Sequence, residues 1–431
     1  MIFMIRVCIK YIYFIFNHFK LNNYEDSLNA TAQVWDGTSS TWTKGEGTSS
    51  SPYLIESPQH LAYLSKKVAE GVTFEGKFFS ITSNLDMGGS EGQKFQQIGK
   101  LNKFVDPNSN TPIDSSLYFK GTLDGKMHEI DNLNIEYINE ELGGTGLFAC
   151  TTTSSVIRNL TIGKNSIVKG GTVVGAFVGQ MNGGLIENCC NKASVTATNF
   201  FLGGFVGVME DGLVTKCVNR GAINGTTEVG GIVGQLAYNS SVTFCYNTAL
   251  VTAVGFGGAG ICGAMYDTSS IKNCFNVGKI DGQSSPWMGA PHAIVADAGT
   301  CKVVNCYYEK SLSGVDDEHA VAKTKQEMGL QSFVDALNAG DESTPFVIDS
   351  KNVNNGLPLL KWETEIDQTG IHDAIADNIN LRLSGNEVSS DSLVTVFDMS
   401  GRLVASGNKL ILEQGVYIIK CAGKSIKYIV K

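Results

Sequence analysis

Gly204-Phe205-Val206-Gly207, then Val214-Thr215-Lys216-Cys217, then Ala222-Ile223, is the stretch whose reading decides the fold. The first block recurs as Gly146-Leu147-Phe148-Ala149, Ala176-Phe177-Val178-Gly179, Gly231-Ile232-Val233-Gly234 and Gly260-Ile261-Cys262-Gly263, with Ala293-Ile294-Val295-Ala296 as a degenerate copy. The second block recurs too, and its last positions are Leu160, Cys189, Cys217, Cys245, Cys274 and Cys306, in steps of 29, 28, 28, 29 and 32 residues. Ile130-Asp131-Asn132-Leu133 extends that register back by 27. Self-similarity at such a period marks a solenoid, because one short unit cannot bury its own apolar face. Three short β-like runs per unit, separated by Gly, Asn and Ser, predict one coil of a right-handed parallel β-helix.

Apolar residues occupy both the first and the fourth positions of the second block, as in Val214 and Cys217. A flat strand of period two would place these on opposite faces, so a corner is expected between them. Asn at the third position of several copies (Asn159, Asn188, Asn273, Asn305) tolerates the left-handed conformation such a corner needs. The recurrent glycines suit positive φ or close backbone approach.

Five of the 11 cysteines share one repeat position, which Leu133 and Leu160 fill in earlier copies. A site that accepts Leu or Cys is apolar, so Leu133, Leu160, Cys189, Cys217, Cys245, Cys274 and Cys306 are expected to form a buried ladder of free thiols and leucines. Disulfides are the competing reading, and in-register side chains pointing the same way strain the dihedral they require. Zinc spacing is lacking, and no metal or other cofactor is expected.

Composition agrees with an all-β repeat protein: 431 residues, 49 Gly, 8 Pro and 17% charged residues. The formal net charge of -9 argues against nucleic-acid binding, which needs a basic face. Residues 1–32 read as a signal peptide, with the apolar run Tyr11 to Phe16 too short to span a bilayer and Ala30-Thr31-Ala32 as the small-residue cleavage pattern. An N-terminal anchor is the alternative, and the mature protein is not expected to span a membrane.

Residues 33–135 form an N-terminal cap and irregular first coils, and 136–310 the repeats. In the cap, Ser57-Pro58 opens a helix that ends before Gly71. Residues 311–362 form a C-terminal cap, with a helix opened by the capping box Thr324-Lys325-Gln326-Glu327 and running through Leu337, and a closing strand at Leu359-Leu360. Residues 363–378 read as a polar linker. Residues 379–431 alternate apolar and polar residues in several runs, as a small β-sandwich should.

The Gly-apolar-Val-Gly block with Ile271-Lys272-Asn273-Cys274-Phe275-Asn276 resembles the GLUG repeat of bacterial surface proteins. The likeness covers residues 33 to 362 and implies an adhesin-like role. Asp398-Met399-Ser400-Gly401-Arg402, Gly415-Val416-Tyr417-Ile418 and the basic run from Lys424 to Lys431 resemble the C-terminal sorting domain of type IX secretion substrates. That resemblance implies passage across the outer membrane by the type IX machinery, removal of residues 379–431, and surface attachment or release.

Activity is less legible. The position after the ladder holds Cys190, Val218, Tyr246, Phe275 and Tyr307. If the cysteines point in, Tyr246, Phe275 and Tyr307 point out, as a stripe on which glycan or protein ligands could dock. Burial beneath the C-terminal loops is the competing reading. Asp211, Asp267 and Asp297 fall where turns are expected, Asp316-Asp317-Glu318-His319 reads as a solvated loop, and His128-Glu129-Ile130-Asp131-Asn132 lacks the second His of a zinc-protease helix. No catalytic residue is assigned. A surface binding protein is favoured over a polysaccharide lyase or hydrolase, or a plain stalk.

Overall fold

The computed structural model describes residues 34–430, apart from 90–92, 106–108, 139–142, 285–289, 340, 366–381, 385, 399–401 and 422–423. The expected signal peptide and its cleavage site lie outside the described residues, as does most of the expected linker. The chain divides into two compact units, one reaching Thr364 and the other starting at Glu365.

The first unit is a parallel β-solenoid of about 8 turns. One coil shows its construction. Val178–Glu187 and Cys190–Asn191 belong to one parallel sheet; Ser194–Ala197 and Phe200–Gly203 belong to a second. Each pairs in register with the next coil, Val178 with Val206, Cys190 with Val218, Val195 with Ile223 and Leu202 with Val229. The coil therefore has more segments than the three runs expected. The extra one, Phe200–Gly203, hides in sequence because the next coil reads Thr227-Glu228-Val229-Gly230 at the same place, so no apolar block repeats there.

The corner inside the second block is real. Asn132, Asn159, Asn188, Asn273 and Asn305 all have φ between 52° and 55°. Lys216 and Phe244, at the same position, also take left-handed φ of 53° and 51°. The coil imposes the bend, and Asn is the residue that meets it with least strain. Just past it, Leu133, Leu160, Cys189, Cys217, Cys245 and Cys274 are fully buried and Cys306 is 2% exposed. The ladder cysteines are free. Their thiols donate to nearby carbonyls, as Cys217 Sγ does to Thr215 O at 3.1 Å. Burial pushes the thiols of Cys217, Cys274 and Cys306 well up.

A second internal ladder is polar. Asn191 Nδ2 donates to Asn219 Oδ1 at 2.8 Å, Asn219 to Asn247 at 2.8 Å, and Asn247 to Asn276 at 2.9 Å. Each also bonds the backbone two residues on, so the amides of this ladder are satisfied, which is the condition for tolerating them in a core. This explains the first glycine of the repeat block. A Cβ on Gly231 would sit 2.1 Å from Gly260 O and 2.8 Å from Asn247 Cγ. Close approach, not positive φ, reserves that position for glycine.

The ends are closed as polar edges require. At the N-terminal end the helix Pro58–Ala69 follows Ser57 and buries Leu61, Leu64 and Val68. At the far end, Thr324 and Glu327 form the reciprocal capping box. The expected single helix is instead two, Lys325–Met328 and Gln331–Leu337, because the first ends at Gly329. Phe346–Val347 pairs antiparallel with Leu359–Leu360. The cap reaches past residue 362: Lys361–Glu365 is helical and Glu363 is buried, so the linker cannot begin at 363.

In the second unit, the described strands Arg382–Ser384, Glu387–Asp398, Leu403–Ile411, Gly415–Cys421 and Lys424–Val430 make one antiparallel sheet. Val388, Val394, Val396 and Ile419 are its fully buried residues. The strands follow the alternation read in sequence, in a single sheet where a sandwich was expected.

Candidate functional site

The repeat places two rows of aromatics on the outside of the solenoid, and they meet different fates. Tyr246, Phe275 and Tyr307 lie in register on successive coils. The Tyr246 and Phe275 rings stack at 4.7 Å, but both residues are fully buried and Tyr307 is half-buried. The expectation of an exposed stripe is corrected. The C-terminal cap lies over it, with the Phe346 ring 5.6 Å from Phe275 and the Phe333 ring 5.0 Å from Tyr307.

Polar contacts fix the cap there. Arg220 Nη2 bonds Glu363 Oε1 at 2.8 Å and Tyr246 Oη at 2.7 Å, and Tyr246 Oη donates to Glu363 Oε2 at 2.7 Å. Arg220 Nη1 donates to Asn354 Oδ1 at 3.2 Å, Leu360 N–H to Glu363 Oε2 at 2.9 Å, and Trp362 Nε1 to Lys216 O at 2.8 Å. Burial, then the Glu363 charge, pushes the Tyr246 phenol well up, so it stays a donor. A buried charge pair so fully bonded is structural, and it uses the row that sequence reading offered to a ligand.

The acidic loop is structural as well. Asp317 is 6% exposed and accepts the N–H groups of Ile294 at 2.7 Å and Val295 at 3.0 Å. Those donors sit at the last coil, so the carboxylate covers an edge that would otherwise be open. Asp316 stays at the surface, paired with Lys310 at 2.8 Å. Asp211 takes left-handed φ within the strand Val206–Thr215 rather than at the expected turn, Asp267 takes it at a turn, and Asp297 ends the strand Val295–Asp297. Among the described residues, no group of three or more His, Cys, Asp and Glu could hold a metal ion.

The second row was missed in sequence. Phe200 pairs with Thr227, and Thr227 with Phe256, on three successive coils. Phe200 is 50% exposed and Phe256 37%, while Thr227 between them is 4% exposed. The same wall carries a second in-register row, Thr196, Asn224 and Thr252, flanked by Lys169 on one side and Asp281 on the other. Segments 194–203, 222–230 and 250–259 contain one charged residue, Glu228. Glu228 has φ 53° and accepts from Gln235 Nε2 at 3.0 Å. Burial and then the Asp297 charge raise its pKa, while bonds from Gln235 and Tyr266 oppose the shift. The signal for this face was present in Phe200-Phe201 and Phe256, but Thr227 on the coil between them breaks the repeat.

No family model matches the chain. Residues of the chain are 28% identical over 190 positions to halomucin of Haloquadratum walsbyi, a match covering 40% of this chain and 2% of that protein. They are 30% identical over 159 positions to a "Putative Gly-rich membrane protein" of Evansella cellulosilytica, covering 36% of this chain and 16% of that one. The chain thus spans a small part of either relative. Among solved structures, it is similar to a "putative immunoglobulin A1 protease" from Bacteroides ovatus, with a TM-score of 0.53, 19% identity, and coverage of 74% of this chain and 95% of that one. At that identity the likeness is one of fold.

Proposed function

We propose that the chain is an exported, cell-surface adhesin-like protein whose solenoid presents a binding face to a glycan or protein ligand. The observation that carries the reading is the contrast between the two rows. The cap covers Tyr246 and Phe275, whereas Phe200 and Phe256 stay exposed on coils whose segments 194–203, 222–230 and 250–259 hold one charged residue. Large apolar side chains left exposed and aligned on one face mark interaction surfaces. The membrane naming of the Evansella relative supports a surface location, and among the described residues no helix is long and apolar enough to cross a membrane. Residues 379–431 serve as a type IX sorting domain, a role their separation as a compact unit supports.

A polysaccharide-active enzyme is the second reading, and Glu228, half-buried with a raised pKa, is the residue that favours it. A glycan and surface-protein array run beside a polysaccharide-degradation assay separates the two. Saturable binding without turnover supports the binding module. Turnover lost in Glu228→Gln supports the enzyme, and neither activity leaves a stalk. For export, deleting 379–431 should leave the solenoid folded and the protein in the periplasm of a host with the type IX machinery. Surface delivery of the truncated chain would refute the sorting role.

A further inference from the structure

We infer that the Phe200–Phe256 face takes an extended, neutral β-1,4-linked polysaccharide lying along the solenoid axis. The assignment rests on the solenoid being a surface binding module. Phe200 and Phe256 stand two rungs apart in one register, which is about 10 Å. That interval is close to the length of two pyranose rings joined through equatorial β-1,4 bonds. In such a ribbon alternate rings present equivalent faces, so each phenylalanine meets the same kind of sugar face. Thr227, on the intervening rung, is buried and offers no platform, so the sugar between is left unstacked.

Charge and shape narrow the class further. On the strands of this wall one cation, Lys169, stands beside three carboxylates, Glu136, Glu228 and Asp281, a balance that disfavours sulfated or uronic-acid polymers. The parallel row Thr196, Asn224 and Thr252 supplies neutral side chains suited to sugar hydroxyls. Parallel coils in register make a straight wall, which an extended chain can follow and a coiled α-1,4 chain cannot.

The full chain would be mixed with microcrystalline cellulose, with chitin, with insoluble starch and with an alginate resin, and the bound fraction measured. Retention is expected on cellulose or chitin only. Phe200→Ala and Phe256→Ala should each weaken it about tenfold, since aromatics at such sites carry much of the binding energy. Both residues are partly exposed, so the unfolding midpoints, read in parallel, should fall only modestly and the retention is compared well below the lower midpoint. Retention on neither cellulose nor chitin, or retention the two substitutions leave unchanged, overturns the inference. A different array ligand lost in the same variants overturns it while leaving the binding module standing. So does a concentration-dependent dimer lost in Phe200→Ala, which would make the face a self-association surface. Binding to nothing on the array overturns both.

Discussion

Two aromatic rows on one solenoid differ in what lies over them. Tyr246 and Phe275 are sealed under the C-terminal cap, while Phe200 and Phe256 face solvent. Both rows come from the same device: a residue repeated at one coil position becomes a stripe. Which stripe is available is decided far along the chain, at Phe333, Phe346 and Glu363. Periodicity can align side chains, but it cannot tell whether a later segment returns to cover them.

The sharpest break of that comparison is Glu363→Ala. It leaves Arg220, 26% exposed at its side chain, without its carboxylate and Tyr246 Oη without its acceptor. Removing one partner of a buried pair costs about 3–5 kcal/mol. The cap should loosen over Tyr246, seen as a lower unfolding midpoint and as new protease sites within 325–365. An unchanged midpoint with an intact cap would mean that the apolar contacts hold it alone.

Much of this architecture was legible and some was not, for identifiable reasons. The coil, the corner between Val214 and Cys217 and the thiol ladder follow from spacing, because stacked units must place like residues together. The asparagine ladder was not seen, although Asn191, Asn219, Asn247 and Asn276 recur as regularly as the cysteines. Asn reads as a turn residue in a sequence, and only the pairing of amides across coils makes it a core residue. Asp317 was hidden likewise: its carboxylate serves N–H groups about 22 residues away, and nothing local marks it. The site was legible only as a principle, outward aromatics on successive coils, and the row that the sequence displays most clearly is the covered one.

Truncation compares the rows directly. Phe275 is fully buried and stacked on Tyr246 at 4.7 Å, so Phe275→Ala should cost about 3–5 kcal/mol. Phe200→Ala, at a site 50% exposed, should stay within about 0.5 kcal/mol. Denaturant melts of both variants measure the difference. A comparable loss at Phe200 would show that its row, too, is packed in solution.

Tyr246→Phe sharpens the closed row with a smaller change. It keeps the ring stack but removes the hydroxyl that links Arg220 and Glu363. The charge pair survives at 2.8 Å, so the loss should be about 1–3 kcal/mol, the range for a buried polar group left short of a partner. A loss equal to that of Glu363→Ala would make the phenol, not the ion pair, the keystone of the cap.

The smallest expected effect separates the two carboxylates beside the rows. Glu363 is bonded by an arginine, whereas Glu228 takes its bond from the Gln235 amide. Burial, reinforced by Asp297, raises the folded-state pKa of Glu228 above 4.5. The folded chain therefore holds this proton more tightly than the unfolded chain does. The resulting stabilisation is fully present below pH 4.5 and is lost as pH rises through the folded-state value. Glu228→Gln keeps the shape and removes the titration. The stability of the parent relative to the variant should thus fall between pH 4.5 and neutrality, while carboxylates not coupled to Glu228 cancel in the difference. Paired melts across that range measure it. A flat difference would show that water reaches Glu228 freely, and the raised pKa that favours an acid catalyst on the open face would go with it.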